Sequence, residues 1–112
     1  MIVSKPWGHE VIWAHTDKYV GKILVVRAGK RLSLQHHAQK EESLYLNKGK
    51  VIIILENEAG DLIENTLLPS EYIHIPSRHK HRIIALEDSE IFEVSTPHLE
   101  DVIRHEDDYG RV

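Results

Sequence analysis

The 112-residue chain contains no cysteine, which excludes disulfides and thiolate metal ligands alike. It also has no long apolar run. The longest, "VIIIL" from Val51 to Leu55, falls far short of the roughly 20 residues a membrane helix needs, so no membrane partner is expected. Positive charge is not in excess: 14 Lys and Arg against 18 Asp and Glu leave a formal net charge of −4. A nucleic-acid partner would demand a basic face, so that class is set aside. The opening "MIVSKPWGHE" lacks a signal-peptide pattern, which makes the cytoplasm the expected location. Low-complexity linkers, tandem repeats and a convincing helical apolar period are missing too. For this length the expectation is one domain, residues 1–112, around one core.

Histidine is what the chain has in abundance, nine residues in 112. Imidazole is the commonest metal ligand and titrates near neutral pH. The rest of the pattern is short apolar runs at spacings of roughly 8 to 12, the signature of an all-β fold. Nine strands are expected, within "EVIWAH", "YVGKILVVR", "RLSLQHH", "SLYLNKG", "KVIIILE", "LIENTLL", "EYIHIP", "HRIIALE" and "EIFEVST". Gly29, Gly49, Gly60, Pro69 and Pro76 punctuate them as turns. "LEDVIRHED", Leu99 to Asp107, could form one helical turn. Such a count fits a small antiparallel sandwich or barrel.

Side chains alternate faces along a strand, so Gln35 and His37 share one face while Leu34 and His36 take the other. Glu42 follows at the head of "SLYL", and His79 and His81 have equal parity in "SRHKHRII". If one face lines a barrel lumen, Gln35, His37, Glu42 and a distant His can converge on one cation. His36 is expected to point outwards, and Trp7 to pack under the barrel.

These residues resemble the motifs of the cupins. Gly29, Gln35, His37, Glu42 and Gly49 fall on the Gly–His–His–Glu–Gly positions of the first cupin motif, with Gln for the first His. Pro76, Arg78 and His81 fall on Pro-x-Gly-x-x-His of the second, with Arg for Gly. "LSLQHH" is similar to the Leu-Ser-Leu-Gln-x-His of type II phosphomannose isomerases, whose C-terminal domain is a cupin. "KPWG", "FEVS" and the tail "EDVIRHEDDYGR" extend the similarity over nearly the whole chain. Lys40 stands where that family tends to have Arg, Ser43-Leu44 replaces a His-Trp-like pair, and Ala28 replaces Pro. The resemblance implies a double-stranded β-helix and a single divalent metal ion on Gln35, His37, Glu42 and His81.

That donor set, without sulfur, suits zinc, and also manganese, iron or nickel. A neutral Gln in place of His favours a Lewis acid over a redox centre, which disfavours a dioxygenase. The implied reaction is aldose–ketose isomerisation of mannose 6-phosphate and fructose 6-phosphate through a cis-enediolate. A sugar phosphate needs cations, and Lys22, Lys40 and Arg104 are the candidates. Glu93 and His79 are candidate proton carriers, and the sequence does not choose between them. Arg104 is equally readable as a salt-bridge partner of Glu106, Asp107 or Asp108. The rival from another class is a non-catalytic sugar- or metabolite-binding cupin. A homodimer is expected, on the argument that "VIIIL" would otherwise be an exposed edge strand.

Overall fold

β-Branched and leucine residues alternating with polar ones drive eleven strands in the computed structural model, which describes residues 1–112 and contains no helix. In chain order they are β1 (Ile2–Lys5), β2 (Gly8–His15), β3 (Val20–Val26), β4 (Leu34–His36), β5 (Glu42–Lys48), β6 (Val51–Glu56), β7 (Leu62–Leu67), β8 (Tyr72–Ile75), β9 (His81–Ala85), β10 (Ser89–Ser95) and β11 (Ile103–Glu106). They form two antiparallel sheets. One has the order β1-β2-β3-β10-β5-β8 and the other β11-β4-β9-β6-β7. No helix is long and apolar enough to cross a membrane.

The two sheets face one another across a shared interior. At one end it is apolar: Leu24 and Val26 from β3, Leu44 and Leu46 from β5, and Ile91 from β10 meet Val51 and Ile53 from β6 and Ile83 from β9. Full burial of such a side chain contributes about 1.5–3 kcal/mol. Trp7 packs in this cluster at 2% exposure, as the sequence suggested, and also borders the polar cavity. At the other end the inward positions of the same strands change character. Lys22, Glu42, His81 and Glu93 replace aliphatics while keeping the inward parity. The ladder that builds the core therefore also positions a polar cavity.

Two backbone positions show why the turns hold. Gly49, between β5 and β6, has φ +94°, and a Cβ there would stand 2.3 Å from Ser89 Oγ, so only glycine fits. Arg78 occupies the glycine position of the second motif and keeps the geometry that glycine serves, at φ +69°. Its N–H donates to the carbonyl of His37 at 2.7 Å, which ties the β8–β9 turn to the end of β4.

Three expectations are corrected. The helical turn over 99–107 is absent: Ile103–Glu106 forms β11, whose backbone pairs with the free side of β4. The strand count is eleven, because β1 pairs with β2 and was not foreseen. Finally, "VIIIL" is not an edge. β6 lies between β9 and β7 with both sides hydrogen-bonded. The exposed-edge argument for a homodimer therefore has no basis in β6.

Candidate metal centre and its cavity

His37 just follows β4, Glu42 opens β5 and His81 opens β9. These three side chains are 3%, 5% and 2% exposed. Their ligand-capable atoms all lie within 4.8 Å of one another. His81 Nε2 is 3.2 Å and His37 Nε2 3.9 Å from Glu42 Oε1. Donors bound to one cation at about 2.1 Å stand roughly 3 to 4 Å apart, so the arrangement is nearly that of a ligand set.

The backbone fixes the tautomers. His37 Nδ1–H donates to the carbonyl of Asp101, and His81 Nδ1–H to the carbonyl of His79 at 3.0 Å. Each ring then turns an unprotonated Nε2 inward, and both Nε2 atoms are buried without a hydrogen-bond partner. A carbonyl behind the ring is the usual outer support of a metal-bound histidine. Burial lowers the His37 pKa despite the Glu42 charge, which favours the neutral, ligating imidazole. Two orphaned lone pairs facing a buried carboxylate fit a divalent cation.

Beside this set runs a chain of charges. Lys40 Nζ lies 3.0 Å from Glu42 Oε2 and 3.2 Å from Glu93 Oε2. Burial works against the Lys40 ammonium, but Glu93 and Glu42 outweigh it and push its pKa up. Burial likewise opposes the Glu42 carboxylate, and the Lys40 ammonium works against burial and helps to hold that pKa down. Glu93 responds the other way. Burial, then the Glu42 charge, pushes it up to about 7. Lys22 lies opposite Glu93 in the β3–β10 register and pairs with Glu10 at 3.3 Å.

The second sheet forms the facing wall. Arg104, Gln35 and His81 lie in one row across β11, β4 and β9. All three line the same cavity of about 90 Å³, as do His37, Glu42 and Glu93. Gln35 Oε1 accepts a hydrogen bond from Ser33 Oγ at 2.7 Å. Of the residues singled out from the sequence, Gln35, His37, Lys22, Lys40, Glu42, His81, Glu93 and Arg104 are brought together. His79 is not. Its ring is turned to the β6–β7 hairpin, Nδ1–H donating to the Glu56 carbonyl and Nε2 3.8 Å from Glu58. It serves the cavity through its backbone oxygen alone. His36 points away and stacks on His105.

Asp101 was passed over in the sequence. Its carboxylate accepts the backbone N–H groups of Ala38, Gln39 and Lys40 at 3.0, 2.7 and 2.9 Å, and its carbonyl holds His37. It thus clamps the loop that carries Lys40 and leads into Glu42. One acid in an acid-rich tail gives no signal of such a role.

Comparison with known proteins places the chain in a family. The family model described as "Mannose-6-phosphate isomerase C-terminal" matches residues 1–107. "Mannose-1-phosphate guanylyltransferase ManC" of Salmonella typhimurium (strain LT2) is 31% identical over 115 residues, spanning 98% of this chain and 23% of that protein. The Escherichia coli (strain K12) "Mannose-1-phosphate guanylyltransferase" is 30% identical with the same coverages. This chain therefore spans less than a quarter of the length of those relatives. Among solved structures, KdgF from Halomonas sp. superposes with a TM-score of 0.74 at 23% identity, covering 84% of this chain and 83% of that one. An RmlC-like cupin from Shewanella frigidimarina superposes at 0.77 with 13% identity, covering 90% and 86%. Identities this low speak for the fold alone. The two-sheet architecture is that of a cupin, and the chain belongs to the mannose-6-phosphate isomerase C-terminal family.

Proposed function

We propose that this chain is a metal-dependent aldose–ketose isomerase acting on a sugar phosphate, of the mannose 6-phosphate/fructose 6-phosphate type. The observation that carries this reading is the convergence of two unprotonated imidazole nitrogens and the Glu42 carboxylate in a cavity shared with Glu93. A divalent cation on His37, Glu42 and His81, with Gln35 as a fourth oxygen donor and zinc the best match, would polarise a sugar carbonyl and favour negative charge on its oxygen.

Glu93 is the proton carrier in this scheme. With a pKa near 7 it is part ionised at neutral pH, as a group that both takes and returns a proton should be. Its carboxylate removes the proton from the carbon next to the carbonyl. The electron pair left behind forms the carbon–carbon double bond of a cis-enediolate. The Glu93 carboxyl then returns the proton to the former carbonyl carbon, while the hydroxyl proton passes from the adjacent oxygen to the former carbonyl oxygen and the new carbonyl forms on the adjacent carbon. Lys40, bridging Glu93 and Glu42, offsets the two carboxylates and holds their spacing. Lys22 adds a second ammonium opposite Glu93.

A sugar-binding module without turnover is the second reading. It is favoured by the name of the curated relatives, which is that of a guanylyl transfer, and by the small share of them that this chain spans. An assay coupling fructose 6-phosphate formation to nicotinamide reduction separates the two. The expected result is turnover of mannose 6-phosphate that a chelator abolishes and added zinc or manganese restores. Binding of hexose phosphate without turnover, by metal-loaded protein, would give the lead to the module.

A further inference from the structure

The candidate metal set uses two of the nine histidines, and a second pair meets on the other face of the same wall. His36 Nδ1 lies 2.7 Å from His105 Nε2, with the ring centroids 4.9 Å apart. His36 stands on β4 between Gln35 and His37, and alternation along the chain turns it away from the cavity those two line. The ladder brings His105 to it. Ile103 pairs with His36 and Arg104 with Gln35, but Leu34 pairs with Glu106, which leaves His105 as the extra residue of a bulge. A bulge re-aims the side chain it carries. His36 is half-buried and His105 exposed, so one ring is held while the other is free to turn.

Two neutral imidazoles so placed share one N–H between two nitrogens. Moving that proton to the far nitrogen of the same ring frees both facing lone pairs and changes neither charge. A small turn of the exposed His105 ring then aims them at one point. The spacing selects the cation. At a metal–nitrogen distance of about 2.0–2.1 Å, nitrogens at a right angle stand roughly 2.8–3.0 Å apart, and nitrogens at the tetrahedral angle roughly 3.3–3.4 Å. The observed 2.7 Å is close to the right-angled value. Cu2+ favours that tetragonal arrangement, heads the order of affinity for such donors, and fills its remaining positions with water. Zinc asks for a tetrahedron of four donors, and the pair belongs to no three-donor group of this chain. The charges of Glu56 and Glu106 face His105 against that of Lys80, a balance that favours a dication.

We propose that His36 and His105 form a second metal site, on the outer face of the five-stranded sheet, that takes Cu2+, and Ni2+ less tightly, on two adjacent imidazole nitrogens. The isomerase reading plays no part in it. β11 is an edge strand whose one partner is β4. A cation on both rings joins these strands by a link across the bulge, on the face opposite Gln35 and Arg104. Its occupancy fastens the last strand of the cavity wall from outside and leaves the central set its own ion.

The test titrates copper(II) chloride into zinc-loaded protein. Wild type, His36→Gln, His105→Gln and His15→Gln, the last a single exposed histidine, are compared by calorimetry, by analysis of both metals and by electron paramagnetic resonance. Thermal melts without copper check folding, and His105→Gln should melt as wild type does because the ring it replaces is exposed. Wild type should take one Cu2+ per chain ahead of any weaker binding, keep its zinc, and show the spectrum of a tetragonal cupric ion with nitrogen ligands. Copper affinity should fall at least tenfold in His36→Gln and in His105→Gln and hold in His15→Gln. Zinc released in step with copper taken up would place the copper in the central set and overturn the proposal. So would a wild type that binds no copper, full affinity in either paired variant, or an equal fall in His15→Gln. None of these readouts needs turnover, so a protein that isomerises nothing can still pass or fail.

Discussion

Replacing Asp101 by Ala should loosen the metal set and the fold together, by amounts the hydrogen bonds fix. The Asp101 carboxylate accepts three backbone N–H groups from the Ala38–Lys40 loop. Those bonds, that from Lys40 foremost, lower its pKa from 3.8 to about 2. A shift of that size corresponds to roughly 2.4 kcal/mol at 1.36 kcal/mol per unit. The loop is reached by solvent, which screens part of this, so the expected loss at neutral pH is about 1–2 kcal/mol. The same change frees the carbonyl that orients His37, and loss of such outer support typically weakens metal binding by about 10-fold or more. The pH dependence has a definite sign. A depressed carboxyl stabilises the fold fully above its unfolded value, and that contribution disappears as pH falls through the folded one. The stability gap between wild type and Asp101→Ala should be constant down to about pH 5 and close between about pH 4 and 2. Urea unfolding at a series of pH values, with zinc titration at pH 7, measures both. An unchanged urea midpoint with unchanged zinc affinity, or a gap that widens in acid, would refute the reasoning.

Arg78→Gly should be neutral or stabilising by up to about 1 kcal/mol in urea melts, because relief at φ +69° offsets the extra freedom of an unfolded glycine; a loss beyond about 1 kcal/mol would mean the arginine side chain itself is needed. Lys40→Met leaves Glu42 and Glu93 buried together without their cation and should cost about 3 kcal/mol by thermal or urea melt, the scale of a broken buried pair. Glu93→Gln should lower mannose 6-phosphate turnover by roughly 100-fold in the coupled assay. It should also remove a pH slope. The folded Glu93 carboxyl keeps its proton to about pH 7 while the unfolded one releases it near 4.5, so wild type loses stability across that interval and the variant does not.

Much of the site was legible because strand parity and motif spacing are local properties. Parity put Gln35 and His37 on one face, the resemblance to the cupin motifs joined Glu42 and His81 to them, and the structure brings the four to one cavity. Nine strands could be read from apolar runs bounded by glycine and proline. β1 was not readable, since "IVSK" is four residues long and runs straight into Pro6 and Trp7. β11 was not either: "IRHE" has one apolar residue, and it is a strand because β4 has a free side to pair with. The order of strands within a sheet is a tertiary property, which is why β6 was taken for an edge. His79 shares parity with His81 but precedes β9, and the Glu56 carbonyl turns its ring outwards. Asp101 acts on backbone N–H groups more than 60 residues away, and such pairings leave no mark on the side-chain pattern. Arg104 could be read as salt bridge or anion contact from the sequence, and which cations take the neighbouring Asp107 and Asp108 (Arg111 and Arg31) is a tertiary property.

The central claim is that His37, Glu42 and His81 hold one divalent cation. Calorimetric titration of zinc into chelator-treated protein tests it directly, with wild type and His81→Ala side by side. The predicted result is one site per chain in wild type and binding weakened at least about 100-fold in His81→Ala, since a coordinating nitrogen is lost from a small donor set. Wild type that binds neither zinc nor manganese, or a His81→Ala variant that binds as tightly as wild type, would contradict it.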